Sequence, residues 1–176
     1  MKTRTKLRND LDWQPCPANS GRFRHWLRDE GSLTRRLQQR CEQFGVRQVM
    51  QYWRQPFPDE RRVLNLREGQ TALVREVWLQ DGERRLVFAR SILPRASLLG
   101  AWRQLGRLGS RPLGAALFSD AQVVRMPLAY RKLDLRHKMR KEIGRPGLLW
   151  ARRSVFLRDG HAILVTEVFM PEVLTL

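Results

Sequence analysis

Two Asp-Gly pairs constrain this chain more than any other feature. In "ALVREVWLQDGERRLVFARSILP" two β-rich runs flank Asp81-Gly82, and "RRSVFLRDGHAILVTEVFMP" repeats the arrangement around Asp159-Gly160. Asp-Gly between runs of Val, Leu, Ile and Phe favours a tight hairpin, because both residues tolerate positive φ. Two antiparallel hairpins are therefore expected, and "VRQVMQYW" reads as a further strand. Helical patterns stand apart from them. Ser32 is placed to cap a helix running to Gly45, with Leu33, Leu37, Cys41 and Phe44 as its apolar stripe. Shorter helices are expected from Phe23 to Asp29, from Ser97 to Gly106 and from Arg111 to Phe118, the last capped by Ser110. "QPFPDE" reads as a loop, and the segment from Ala121 starts as a strand that Pro127 interrupts. Hairpins plus segregated helices argue an α+β fold on an antiparallel β-sheet. Residues 1–22 read as a polar, loosely held arm and residues 23–176 as one domain.

Charge narrows the function less than its size suggests. The chain has 34 basic and 17 acidic residues, a net +17, and nearly all of the basic ones are arginine. Such a field attracts any polyanion: nucleic acid, anionic lipid or a small dianion. A solvated Arg-rich face is the simpler explanation. No RRM, KH or zinc-finger pattern appears, so no specific nucleic-acid partner is expected. No apolar run approaches the ~18 residues of a membrane span, and no leader-like segment opens the chain. Cys16 and Cys41 share no ligand spacing with His25, His137 or His161. A cytoplasmic protein with free thiols and no metal follows. Walker, GxGxxG, GxSxG and HExxH patterns are missing, so no nucleotide or metal cofactor is expected either.

The chemistry lies in charged residues that fall on apolar strand faces. Strand alternation puts Glu167 with Ile163, Val165 and Phe169. It puts Arg75 with Leu73, Val77 and Leu79, and Arg90 with Leu86, Phe88 and Ile92. Charges on apolar faces are costly unless compensated. Two explanations stand at this level: a buried ion network that satisfies itself, or a pocket in which arginine binds both oxygens of an organic acid. In either case Arg75, Arg90 and Glu167 are expected to project toward one common layer.

"SLTRRLQQRCEQFG", the first hairpin, "RPLGAALF" and the second hairpin, in this order and spacing, resemble bacterial chorismate pyruvate-lyase over residues 23–172. The resemblance implies an antiparallel sheet with helices on one side and two helical flaps closing over a buried ligand site. It implies a monomer that uses no cofactor. The activity implied is conversion of chorismate to 4-hydroxybenzoate and pyruvate, the first committed step toward ubiquinone. Residue by residue, the family's carboxylate-binding arginine matches Arg75. Its buried glutamate, which meets the ring hydroxyl, matches Glu167. Its two flap N–H donors match Leu33 and Leu113. The arginine of its "GRT" segment matches Arg90, which then holds the enolpyruvyl carboxylate; here Ala89 precedes it in place of glycine. The basic surface is compatible with transient docking on an anionic membrane, where the product would be prenylated. The rival reading is a non-catalytic sensor of the same fold, as in effector domains of transcription regulators, although only about 22 residues precede the match.

Overall fold

A computed structural model describes residues 12–109, 111–147 and 149–176, with the backbone alone at 48 and 49. In chain order its elements begin with α1 (Arg24–Leu27), α2 (Leu33–Gln38), β1 (Phe44–Arg54), α3 (Pro58–Val63) and β2 (Ala72–Asp81). Then come β3 (Arg84–Pro94), α4 (Arg95–Leu99), α5 (Leu113–Phe118), β4 (Val124–Arg125) and β5 (Ala129–Leu133). The last are α6 (Lys138–Ile143), β6 (Leu149–Arg158) and β7 (His161–Phe169). The described strands form one antiparallel sheet in the order β1-β2-β3-β7-β6-β4, with β5 also paired to β6. Both expected hairpins are present. At the second, Asp159 and Gly160 have φ of +48° and +76° and join β6 to β7. At the first, the turn residues are Gly82 and Glu83, with Asp81 paired to Arg84.

The sheet is buried on both faces. On one, Leu33 and Leu37 of α2 pack with Val77, Leu79 and Phe169, while Leu113 and Leu117 of α5 pack with Leu73, Phe156 and Ile163. On the other, Phe57, Met139 and Ile143 meet Trp78, Phe88 and Val168. The α+β class and antiparallel sheet agree with the sequence reading. Helices expected on one side alone lie on both, because α3 and α6 cover the second apolar face.

Several boundaries differ for local reasons. Ser32 caps α2, its Oγ accepting the Arg35 N–H at 3.4 Å, but the helix ends at Gln38 rather than near Gly45. Beyond it the chain serves the hairpin instead: Gln43 N–H donates to Asp81 Oδ1 at 2.8 Å, and Phe44 and Gly45 join β1. The expected loop "QPFPDE" contains the start of α3, with Pro58 leading and the Glu60 carboxylate accepting the Phe57 N–H at 2.8 Å. The expected helix over 97–106 is a short α4 followed by a 3-10 turn, Arg103–Arg107. Ser110, the expected cap of the next helix, lies outside the described residues, as does the arm up to residue 11. Residues 12–22 are tied down rather than loosely held. Trp13 is buried and donates to Asp59 at 3.0 Å, and Gln14 bridges to Tyr130.

Candidate active site

Register across four strands builds the floor of a largely enclosed cavity. Arg75 on β2 stands opposite Ser91, Ser91 opposite Val165, and Val165 opposite Ser154 on β6. Two residues further along each strand, Val77, Ala89, Glu167 and Arg152 form a parallel row. Directly opposed residues point to the same face, so both rows face α2 and α5. Ala89 and Ser91 are small, which leaves room above the middle strands. The roof is made by the N-terminal ends of α2 and α5, and Leu33, Thr34, Pro112, Leu113 and Gly114 all line the cavity. Leu33 and Leu113 are the first residues of their helices, so their N–H groups have no intrahelical acceptor. The two helix starts touch. A Cβ on Gly114 would lie 3.0 Å from Thr34 Oγ1 and 3.3 Å from Ser32 Oγ, a spacing that only glycine accommodates without displacement.

The charges in this cavity are unevenly paired. Arg75 is 2% exposed, and burial pushes its pKa down. One of its terminal nitrogens donates to the carbonyls of Gly109 and Arg111, each at 3.1 Å, which ties it to the loop entering α5. Its Nε is buried with no acceptor, and no carboxylate among the described residues pairs with it. Glu167 lines the cavity and accepts from Arg152 Nε at 2.6 Å through Oε2. Arg152 is fully buried and also donates to the carbonyls of Trp26 and Leu27, at 3.0 and 3.3 Å, and to that of Asp29. A second arginine, Arg125, reaches the cavity from β4. Burial lowers its pKa, opposed by the field of Glu167.

Of the sequence-derived site residues, Arg75, Glu167, Leu33 and Leu113 line this one cavity, and Arg90 does not. Arg90 stands opposite Glu76 and Thr166 on the reverse face of the sheet. There its Nε donates to Glu60 Oε1 at 2.7 Å, its Nη1 donates to Glu76, and it stacks over the Phe57 ring at 4.1 Å. Burial opposes its charge, but the two carboxylates overcome this and raise its pKa. The expected common layer of two arginines and a glutamate is thus corrected: Arg75 and Glu167 share it, and Arg90 belongs to a separate, self-satisfied network. Arg152 and Arg125 were missed. The Asp159-Gly160 hairpin carries a signal for the first, since counting back from a two-residue turn sets position 152 opposite 167. Arg125, in a two-residue strand, has no periodicity to reveal it.

Together, fold and cavity define an α+β domain with a largely enclosed cavity lined by two arginines. Within that class the chain belongs to the chorismate lyase family, whose model matches residues 8–175. Relatives named "Probable chorismate pyruvate-lyase" include one from Nitrosospira multiformis, 47% identical over 172 residues that cover 94% of this chain and 96% of that protein. Another, from Nitrosomonas europaea, is 44% identical over 174 residues, covering 96% and 98%. Among solved structures, the PhnF C-terminal domain superposes with a TM-score of 0.57 at 15% identity, covering 74% of this chain and 84% of that one. At that identity the likeness speaks for the fold alone.

Proposed function

We propose that this protein is a lyase that splits chorismate into 4-hydroxybenzoate and pyruvate, the step that commits chorismate to ubiquinone. The observation that carries this reading is a buried arginine without a carboxylate partner among the described residues, Arg75, sharing an enclosed cavity with Glu167 in a chain of this family. The ring carboxylate meets the Arg75 guanidinium and the N–H groups of Leu33 and Leu113. The ring hydroxyl meets the Glu167 carboxylate, whose Oε2 is already fixed by Arg152. Val77, Leu117 and Phe156 supply apolar walls for the ring between these ends.

The chemistry then needs little beyond a pose. The hydrogen on the ring carbon that bears the hydroxyl moves to the methylene of the enolpyruvyl arm. The neighbouring carbon–oxygen ether bond breaks, its oxygen leaves as the carbonyl of pyruvate, and the electrons of the broken C–H bond complete the aromatic ring. Every atom of chorismate is found in one of the two products. Aromatisation drives the step, and holding the arm over the ring supplies the rest; such positioning contributes ~7–11 kcal/mol in favourable cases. The closed roof also slows escape of the aromatic product, so release limits turnover.

The test is a turnover assay with purified protein and chorismate, following both products. Equal amounts of 4-hydroxybenzoate and pyruvate, abolished in Arg75→Ala, are expected. Tight 4-hydroxybenzoate binding with neither product formed would replace the lyase by a non-catalytic sensor of the same fold.

A further inference from the structure

Chorismate has two carboxylates, and the site as described receives only the one on the ring. We propose that Arg125 binds the other, on the enolpyruvyl arm; this rests on reading the cavity as a chorismate site. Arg125 is stretched over β6 by two hydrogen bonds, Nε to Ser154 Oγ at 2.9 Å and Nη1 to the Glu30 carbonyl at 2.7 Å. Among the described residues its Nη2 has no hydrogen-bond acceptor, and no carboxylate pairs with it. It lies over the rings of Phe118 and Phe156, at 5.5 and 5.4 Å, so its charge faces an apolar wall on one side and the cavity on the other.

Position and charge both suit a second carboxylate. Ser154 ends the row that starts at Arg75, three strand spacings away, or ~14 Å between Cα atoms. The two guanidinium groups therefore reach the ring space from opposite sides. Arg125 also lies within the field of Glu167, the residue assigned to the ring hydroxyl. In chorismate the enolpyruvyl arm leaves the ring from the carbon next to that hydroxyl, so its carboxylate falls on this side. Glu167 is already neutralised by Arg152, and nearby Asp29 by Arg36. Among the charges that line the cavity or pair directly there, Arg75, Arg125 and Arg152 against Glu167 leave an excess of two positive charges, which matches a dianion; Glu30, whose field also reaches Arg125, stands outside the lining. The aromatic product carries only the ring carboxylate, so Arg125 discriminates substrate from aromatic product, which Arg75 cannot do.

That discrimination is the test. The probes are 4-hydroxybenzoate and 3-(carboxymethoxy)-4-hydroxybenzoate, an unreactive diacid that differs by the acidic arm alone. Arg125→Gln is expected to weaken diacid binding roughly 100-fold and to lower kcat/KM for chorismate comparably, the loss of one charge-assisted fork. Binding of 4-hydroxybenzoate should change less than about threefold on the same scale, which also reports an intact fold. Arg125→Lys, which keeps the charge and loses the fork, should recover part of the diacid affinity, and it serves as the primary variant if Arg125→Gln does not fold. Equal losses for both ligands would make Arg125 a structural prop, and an unchanged diacid affinity would remove it from the site. If the wild type binds the diacid but does not turn over chorismate, the lyase reading falls, and the diacid comparison still decides Arg125.

Discussion

Arg75 and Arg90 are both buried, lie on adjacent strands of one hairpin, and have opposite surroundings. Arg90 is enclosed by the carboxylates of Glu60 and Glu76, and Tyr52 donates in turn to Glu76 at 2.7 Å. Arg75 has two backbone carbonyls and an idle Nε. A buried cation with its countercharges in place is part of the fold. A buried cation without them, set beside a cavity, is a candidate for binding an anion that the protein itself does not supply. Burial, which the two residues share, does not tell them apart; what sets Arg75 apart is that its missing countercharge coincides with a cavity.

The sharpest break in this comparison is Arg90→Met. It strands two buried carboxylates and should cost ~3–5 kcal/mol of folding stability, measured by urea unfolding. The folded fraction should bind 4-hydroxybenzoate within about twofold of wild type; a large loss there would return Arg90 to the site. Arg75→Ala is the mirror image. It should weaken 4-hydroxybenzoate binding by ~2–5 kcal/mol by titration calorimetry, and destabilise the fold less than Arg90→Met does. Equal destabilisation by the two would erase the distinction.

A smaller effect tests the roof. Gly114→Ala forces a methyl group against Thr34 and Ser32, and should raise the Kd of 4-hydroxybenzoate by about tenfold, or ~1.4 kcal/mol, with unfolding midpoints nearly unchanged. The smallest effect lies on the Arg90 side. His137 precedes α6 and is buried with an unpartnered Nδ1, and burial pushes its pKa down. The unfolded chain therefore takes up a proton that the folded one refuses. Stability should fall as pH drops below the ordinary histidine value of ~6.5 toward the depressed folded value, and should be flat above it. His137→Gln should reduce that slope in stability curves taken between pH 5 and 8.

The hairpins were legible because Asp-Gly fixes a turn by local backbone preference alone. Arg75 and Glu167 were legible because alternation within one strand is local too. Arg90 was not, and one residue explains why. From the turn, Asp81 pairs with Arg84 and Gln80 with Arg85, a register that would set Arg75 opposite Arg90. The pairing then shifts by one, Leu79 to Val87, leaving Leu86 without a partner on β2. Every later residue of β3 moves to the other face, so Glu76 meets Arg90 and Arg75 meets Ser91. No local pattern announces such a bulge. The long helix expected from Ser32 failed for a related reason: edge pairing with the hairpin claimed residues whose own preference was helical.

That bulge makes Leu86 the frame marker for half a strand. Downstream of it, side chains are addressed to the cavity or to the ion network by count alone. Removing this single residue would exchange the two addresses, delivering Arg90 to the cavity and Ala89 and Ser91 to Glu60 and Glu76. A substitution along Val87 to Ile92 alters the surroundings of one side chain, whereas a one-residue change of length rewrites both faces. In this stretch the spacing of the chain is under tighter constraint than its letters.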